Sequence, residues 1–385
     1  MIQSINRFFS LSVLAGAAAL LLATTPAHAA PKAVSAVVVM DAVTGQVVES
    51  MEPDKKIGPA SLNKMMTLYL LYSSVRDGLA AWDDTVRVSR NAWNPEGSKM
   101  FLREGEQVTL RELAVGIAVA SGNDACIAVA EHLAGTEPEF VKWMNETGQK
   151  LGMTATTFGT ATGLPARNQW TTAHDMAVLG RALITDFPDS IAVVSTREMK
   201  HDGIAQNNRN LLLWRDMGVD GIKTGHTEGS GYHLVSTAKK GDQRFVVVVM
   251  GARTEQARAN LSQRYLLSAF QRYATVSPVT PGEPMGEARV WKGMGEQVTV
   301  VAKDKTWLTV RRDDVDKLTV ETEMRELEAP VAAGQPVGMA RVKLGDQVLG
   351  EVELVAAEDM AQGGVVSRLL DSVILGSHDF LDKLF

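Results

Sequence analysis

Three short strings in this chain set hydroxyls near lysines or amides: Ser61-Leu62-Asn63-Lys64, Ser121-Gly122-Asn123 and Lys223-Thr224-Gly225. A serine hydroxyl is a poor nucleophile until a base takes its proton. Residues three apart share a helix face, so Lys64 on a helix can reach the Ser61 oxygen. The run from Leu62 to Tyr72 is apolar on almost every side, the pattern of a helix buried in a core. Burial disfavours the ammonium form and moves a lysine toward the range in which an amine serves as general base. If Ser61 opens that helix, its own N–H also points outward and can help hold an oxyanion. The chemistry these residues could perform is acyl transfer through a serine, with a lysine as base.

The other two strings could complete such a site. Ser121 would relay a proton to the leaving amine, and Asn123 would hydrogen-bond the substrate backbone; alone, this string is also an ordinary helix-start loop. Lys223-Thr224-Gly225-His226-Thr227 reads as a strand. Gly225 removes a side chain where a substrate backbone would lie, while Lys223 and Thr224 offer charge and a hydroxyl to a carboxylate. The His226 N–H is a second candidate oxyanion donor. His226 could instead be the base of a Ser-His-Asp triad, but Lys64 is nearer in sequence and no Gly-x-Ser-x-Gly elbow surrounds Ser61. The seven histidines show no metal-ligand spacing, so neither a metal nor a cofactor is expected. The single cysteine, Cys126, excludes an internal disulfide and reads as a buried thiol.

Around these strings the 385-residue chain has the composition of a globular protein, and its net charge of −6 gives no reason to expect a nucleic-acid partner. Arg7, the apolar run Leu11 to Leu22 and Ala27-His28-Ala29 form a secretory signal over residues 1–29; the run is shorter than the ~20 residues of a membrane span. Ala36 to Met40 and Gln46 to Glu49 flank a turn and read as a hairpin. Helical spacing covers Arg111 to Leu133 and Thr172 to Leu183, with Thr171 or Thr172 as N-cap. Strands follow at Ile222 to Thr227, His233 to Ala238 and Phe245 to Met250, then a helix from Ala257 to Tyr273. Strands at both ends of a helical middle predict an α+β fold, one antiparallel sheet joined from both segments. This catalytic unit is expected over residues 30–276. Residues 277–357 hold six short alternating runs separated by turns, a small β-sandwich with no catalytic cluster. Residues 358–385 carry apolar positions at spacings of three and four, from Val365 to Phe385, broken at Gly376-Ser377. They read as an amphipathic segment, in one or two helices, lying in the plane of a membrane surface.

The extended strings Pro59-Ala60-Ser61-Leu62-Asn63-Lys64, Ser121-Gly122-Asn123-Asp124-Ala125 and Asp220-Gly221-Ile222-Lys223-Thr224-Gly225-His226-Thr227 resemble those of the low-molecular-mass penicillin-binding proteins, serine DD-carboxypeptidases of the type-5 class. The resemblance covers nearly the whole chain. It implies a penicillin-binding/β-lactamase-like catalytic fold and an exported, periplasmic enzyme attached peripherally to the outer face of the cytoplasmic membrane. It further implies cleavage of the terminal D-Ala-D-Ala bond of peptidoglycan stem peptides through a Ser61 acyl-enzyme, with β-lactams as covalent inhibitors. Arg258, in Gly251-Ala252-Arg253-Thr254-Glu255-Gln256-Ala257-Arg258, is implied as a ligand of the terminal carboxylate, and Arg209 as a second arginine near the cleft. Two positions depart from the pattern: Asn63 stands where relatives often have Thr, and Thr162 where many have His. A DD-endopeptidase would use the same strings. A class A β-lactamase would need a deacylating glutamate, and no Glu-x-x-Leu-Asn pattern lies between Asp124 and Lys223. A non-catalytic wall-binding protein would need a broken set, and none of the five catalytic candidates is missing.

Overall fold

The computed structural model describes residues 34–382; the leader expected over residues 1–29 and the terminal Leu384 and Phe385 lie outside the described residues. Strands β1 (Ala36–Asp41) and β2 (Val47–Met51) form the expected hairpin, and a 3-10 turn, Ala60–Asn63, then runs straight into α1 (Lys64–Arg76). A small hairpin of β3 (Thr85–Arg87) and β4 (Gln107–Thr109) encloses the one-turn α2 (Arg90–Trp93). The helical block comprises α3 (Leu110–Ala118), α4 (Asn123–Ala134), α5 (Glu137–Lys150), α6 (Ala173–Asp186) and α7 (Ser190–Val194). A hairpin of β5 (Glu198–His201) and β6 (Ile204–Asn207) leads to β7 (Val219–Thr227), β8 (Gly231–Lys240), β9 (Gln243–Ala252) and α8 (Glu255–Arg272).

The main sheet runs β2-β1-β9-β8-β7, antiparallel throughout, so the two terminal segments do share one sheet and β7 is its edge. Side chains alternate across a strand. In β9, Val246, Val248 and Met250 pack on the helical block, while Phe245, Val247 and Val249 pack on α8 with Ala259, Leu266 and Ala269. A strand covered on both faces has no polar alternation to show, which is why Phe245 to Met250 is apolar throughout. Helix α1 threads the larger core with Met65, Met66, Leu68 and Leu71 fully buried, as its all-round apolar pattern predicts.

Helix starts follow their caps. The Thr109 hydroxyl and Glu112 form a capping box at α3, and the Thr172 hydroxyl accepts from the Asp175 N–H at 3.1 Å to start α6. The helical spacing from Arg111 to Leu133 falls into two helices, with the second string in the helix-start loop between them. Ser121 adopts φ +58° and Gly122 is extended.

Strands β10 (Tyr273–Val279), β11 (Pro284–Trp291), β12 (Gln297–Ala302), β13 (Thr306–Arg311), β14 (Leu318–Met324), β15 (Leu327–Glu328), β16 (Pro336–Leu344) and β17 (Gln347–Ala356) follow. A six-stranded sheet in the order β14-β16-β17-β12-β11-β15 and the pair β10-β13 enclose a separate apolar core containing Val298, Val300, Val337, Ala340 and Leu354. All six expected runs are strands. The buried Asp41 carboxylate at the end of β1 accepts hydrogen bonds from the Val43 N–H, the Thr275 hydroxyl and the Thr309 hydroxyl, tying β10 and β13 to the main sheet. The chain then forms α9 (Val365–Asp382), a single helix without the break expected at Gly376-Ser377.

Candidate active site

Ser61 lies in the 3-10 turn that runs into α1, three residues before the first α-helical position. The turn still brings the pair together: Lys64 Nζ donates to Ser61 Oγ at 3.1 Å and to the Thr162 carbonyl at 2.6 Å. Lys64 is fully buried, and desolvation pushes its pKa down to about 8 from the ordinary 10.5. Across the site, Lys223 Nζ donates to Ser121 Oγ at 3.0 Å and to the Thr224 carbonyl at 3.0 Å. Burial first, and then the charge of Lys64, holds Lys223 well below the usual lysine value. Two lysines with few carboxylates near them thus share one dry site, each bonded to a serine hydroxyl.

Three segments deliver these groups. Gly163, at φ +82°, lets the loop after α5 approach the Ser61 turn so closely that a Cβ there would lie 1.8 Å from the Ala60 carbonyl oxygen. This loop presents the Thr162 carbonyl, a backbone contact available to any residue at position 162. The Thr162 hydroxyl accepts from the Leu164 N–H at 3.1 Å, and Asn63 Nδ2 donates to the Thr160 carbonyl at 3.0 Å and to Gln169 at 2.9 Å. Both departures from the family pattern therefore help fasten this loop.

The second segment is the break between α3 and α4. Asp124 accepts from the backbone N–H groups of Met100, Phe101 and Leu102 at 2.9–3.1 Å, and the Asn123 N–H donates to the Ser98 carbonyl at 2.7 Å. The Asn123 side chain is turned onto the same loop, its Nδ2 donating to the Glu96 carbonyl at 2.6 Å. The loop places Ser98 at the cleft, where its hydroxyl accepts from Arg209 Nη1 at 2.8 Å.

The third segment is the β7 edge. A Cβ on Gly225 would lie 3.3 Å from both Ala60 Cβ and the Ser61 nitrogen. The glycine lets the strand reach the Ser61 turn, and it also lines the cleft. His226 is exposed and stacked on Tyr232, with ring centroids 4.0 Å apart, and forms no bond to Ser61; the triad alternative has no geometry here.

A cleft of about 270 Å³ collects Ser61, Ser121, Thr224, Gly225, His226 and both arginines. Arg258 is buried; its guanidinium donates to the His233 carbonyl at 3.3 Å, the Arg209 carbonyl at 3.1 Å and Glu255 at 2.8 Å, while Nε has no partner. Desolvation lowers its pKa. Glu255, bonded to Arg258, is the one carboxylate lining the cleft among the described residues. Thr227 lies beyond this cleft, in an adjoining cavity. Cys126 is fully buried and its thiol is pushed up to about 12, as befits a structural position. Ser98, Tyr232, Glu255 and the Thr162 carbonyl escaped sequence reasoning. Ser98 and Tyr232 belong to no string, Glu255 stands in the Arg258 string without a role of its own, and a carbonyl has no residue type to announce it.

An antiparallel sheet packed on helices, bringing two lysine–serine pairs to one cleft, is the construction of a serine acyl-transfer enzyme. The family described as D-alanyl-D-alanine carboxypeptidase matches residues 23–254, and the C-terminal domain of penicillin-binding protein 5 matches residues 273–362. The chain is 38% identical to D-alanyl-D-alanine carboxypeptidase DacC of Escherichia coli, over 96% of this chain and 97% of that one. It is 35% identical to DacA of the same organism, over 89% and 87%. Penicillin-binding protein 5 from Haemophilus influenzae superposes with a TM-score of 0.78 at 34% identity, covering 87% of this chain and 99% of that one. The chain belongs to the D-alanyl-D-alanine carboxypeptidase family.

Proposed function

We propose that this protein removes the terminal D-alanine from peptidoglycan stem peptides ending in D-Ala-D-Ala, with Ser61 as nucleophile. The observation that carries the reading is the Lys64–Ser61 hydrogen bond inside a site dry enough to depress the lysine. Neutral Lys64 takes the Ser61 proton as Oγ attacks the carbonyl carbon of the penultimate D-alanine. The N–H groups of Ser61 and His226 hold the oxyanion. Ser121, bonded to Lys223, passes a proton to the departing amine, and Asn123 meets the substrate backbone through the part of its amide not bonded to the Glu96 carbonyl. Free D-alanine leaves, and water then attacks the acyl-serine ester and regenerates Ser61. Arg258, Arg209 and Thr224, which all line the cleft, take the terminal carboxylate. A β-lactam acylates the same serine. Since Glu255 is held by Arg258, no free carboxylate lines the cleft to speed its release among the described residues.

The family supports a periplasmic setting. Among the described residues no helix is long and apolar enough to cross a membrane. In α9 the apolar residues Val365, Val366, Leu369, Leu370, Val373 and Ile374 stand exposed at helical spacing, while Asp371 accepts from the Lys292 N–H of the β region at 2.6 Å. This favours α9 lying on the outer face of the cytoplasmic membrane, with residues 277–357 as the spacer between it and the catalytic unit of residues 30–276. Ser61→Ala decides the chemistry. Wild type should release D-alanine from a pentapeptide and take up a fluorescent penicillin covalently, and the variant should do neither while unfolding at the same temperature. Labelling that survives the substitution refutes the mechanism.

A further inference from the structure

Behind Ser61 stands a fully buried histidine, His233, that the mechanism leaves unused. On β8 it lies opposite Gly225 of β7, the residue whose missing side chain lets that strand meet the Ser61 turn. On its other side the pairing of β8 with β9 shifts register between Tyr232 and Leu234, and Gly251 stands there at φ +75°. A bulge of this kind leaves a backbone N–H without its ladder partner. The His233 ring supplies one: Nδ1 accepts from the Gly251 N–H at 2.9 Å. That bond leaves Nδ1 unprotonated, so the neutral ring carries its proton on Nε2. Nε2 lies 3.1 Å from the Gly58 carbonyl and 3.1 Å from Ser230 Oγ. A carbonyl can only accept, so Nε2–H donates to Gly58, three residues ahead of Ser61.

This short segment needs holding. Ala60 adopts φ +48°, a region that a residue with a Cβ enters only where its surroundings force it. Upstream, Ile57 exchanges two backbone hydrogen bonds with Thr171, each of 2.9 Å. Downstream, the Gly163 loop and the Gly225 strand close on the turn from two sides. Between these points the His233 ring grips the backbone. Burial pushes its pKa down to about 4 from the ordinary 6.5. The charged groups facing it, Arg258 on α8 and His226 on β7, push the same way, while its bond to the Gly58 carbonyl opposes them. Glu255, the carboxylate beside Arg258, is held by that arginine. Protonating Nδ1 would set two N–H donors against each other across 2.9 Å, so a charged ring cannot keep the Gly251 bond. The Arg258 bond at this position goes to the His233 carbonyl and does not involve the ring.

Building on the function proposed above, we propose that His233 is a positioning residue for acylation: its neutral ring locks the backbone ahead of Ser61 to the β8–β9 bulge, and protonation in acid releases that lock. The test compares wild type with His233→Asn and His233→Leu. Asparagine keeps one acceptor and one donor on a side chain that does not titrate; leucine keeps bulk alone. Stopped-flow reaction with a fluorescent penicillin at pH 7 separates the dissociation constant of the first complex from the acylation rate constant. Leucine should lower the rate constant by about ten- to a hundredfold, the effect of misplacing a reacting group by up to an ångström. It should move the dissociation constant by less than about threefold, since the arginines keep their bonds. Asparagine should restore the rate to within about threefold of wild type. Urea unfolding adds a second readout. Between pH 7 and pH 4.5 the folding equilibrium of wild type should weaken about fiftyfold more than that of His233→Asn, because the unfolded histidine takes up a proton near 6.5 that the folded one refuses until about 4. A folded leucine variant that acylates at the wild-type rate overturns the positioning role, and so does a folded asparagine variant as slow as leucine. Equal weakening of wild type and His233→Asn in acid overturns the neutral lock, and that arm stands even if the leucine variant does not fold. Wild type that takes up no penicillin overturns the acyl-transfer reading, and the positioning role with it.

Discussion

Replacing Lys64 with methionine should nearly abolish acylation while costing little stability at neutral pH, and the two effects have one cause. The side chains are similar in length, so the buried slot stays filled. Folding takes the lysine pKa from 10.5 to about 8. Below pH 8 the ammonium is held in a site that disfavours it, at a cost of about 3 kcal/mol. Between pH 8 and 10.5 the unfolded chain binds more protons than the folded one, so wild-type stability rises with pH through that window. Going from pH 7 to pH 10 should therefore shift the difference between wild type and Lys64→Met by ~2.5 kcal/mol in favour of wild type. Removing the Lys64 charge also lets Lys223 recover part of its lowered pKa, which adds to the shift.

Against the relief at pH 7 stands the Thr162 carbonyl, which loses its 2.6 Å donor at a cost of ~1–3 kcal/mol. The two terms nearly cancel. The variant should thus match wild type to within about 2 kcal/mol at pH 7 and fall clearly below it at pH 10. Urea unfolding followed by tryptophan fluorescence at the two pH values measures the shift. Stopped-flow acylation by a fluorescent penicillin should fall by about 10²–10⁴, the contribution of a general base. In wild type the same rate should rise with pH, with an apparent pKa near 8 that belongs to the Lys64–Lys223 pair. A stability difference that ignores pH, or acylation retained within tenfold, would refute lysine as a buried base.

Two further outcomes follow from the geometry. Gly163→Ala should slow acylation at least tenfold and lower stability by about 2 kcal/mol, because φ +82° and a Cβ 1.8 Å from the Ala60 carbonyl oxygen together displace the nucleophile turn; urea titration and penicillin labelling check it, and an unchanged rate would show that the turn tolerates the shift. Ending the chain at Gly363 should leave D-alanine release from a soluble pentapeptide unaltered but abolish flotation with phospholipid vesicles, and flotation that persists would place the membrane contact elsewhere than α9.

What the sequence made legible was set by where each group's signal resides. Lys64 stands out because α1 is otherwise apolar on every side, so burial and its chemical consequence are both readable from residue type. The β7–β9 strands are readable for a similar reason: their side chains alternate, or run apolar, according to what covers each face. The break at Ser121 is legible only as an ordinary helix-start loop, without the reason for its shape. Val119, Ala120 and Cys126 would all continue a helix, and the turn exists because the Lys223 ammonium and the Glu96–Leu102 loop, both distant in sequence, hold Ser121, Asn123 and Asp124 in place. Helix α5 carries a local signal, since Thr136 caps it and Pro138 sits in its first turn, but its mostly polar composition hides the buried Phe140 and Met144.

Gly225 shows how a correct residue can carry an incomplete reason. A glycine before an exposed strand end invites the idea of room for a ligand, but its missing side chain faces the Ser61 turn, which only the tertiary fold brings there. In the mechanism proposed above, the contact has a catalytic consequence. If β7 could not approach this closely, the Ser61 and His226 N–H groups would be too far apart to share one oxyanion, since each donor must lie about 3 Å from it. The small residues at 163 and 225 therefore act together from two sides of the same turn, closing the loop that holds Lys64 and the strand that faces substrate onto Ser61. The site's precision rests on those two close approaches as much as on the hydroxyls and amines that first mark it.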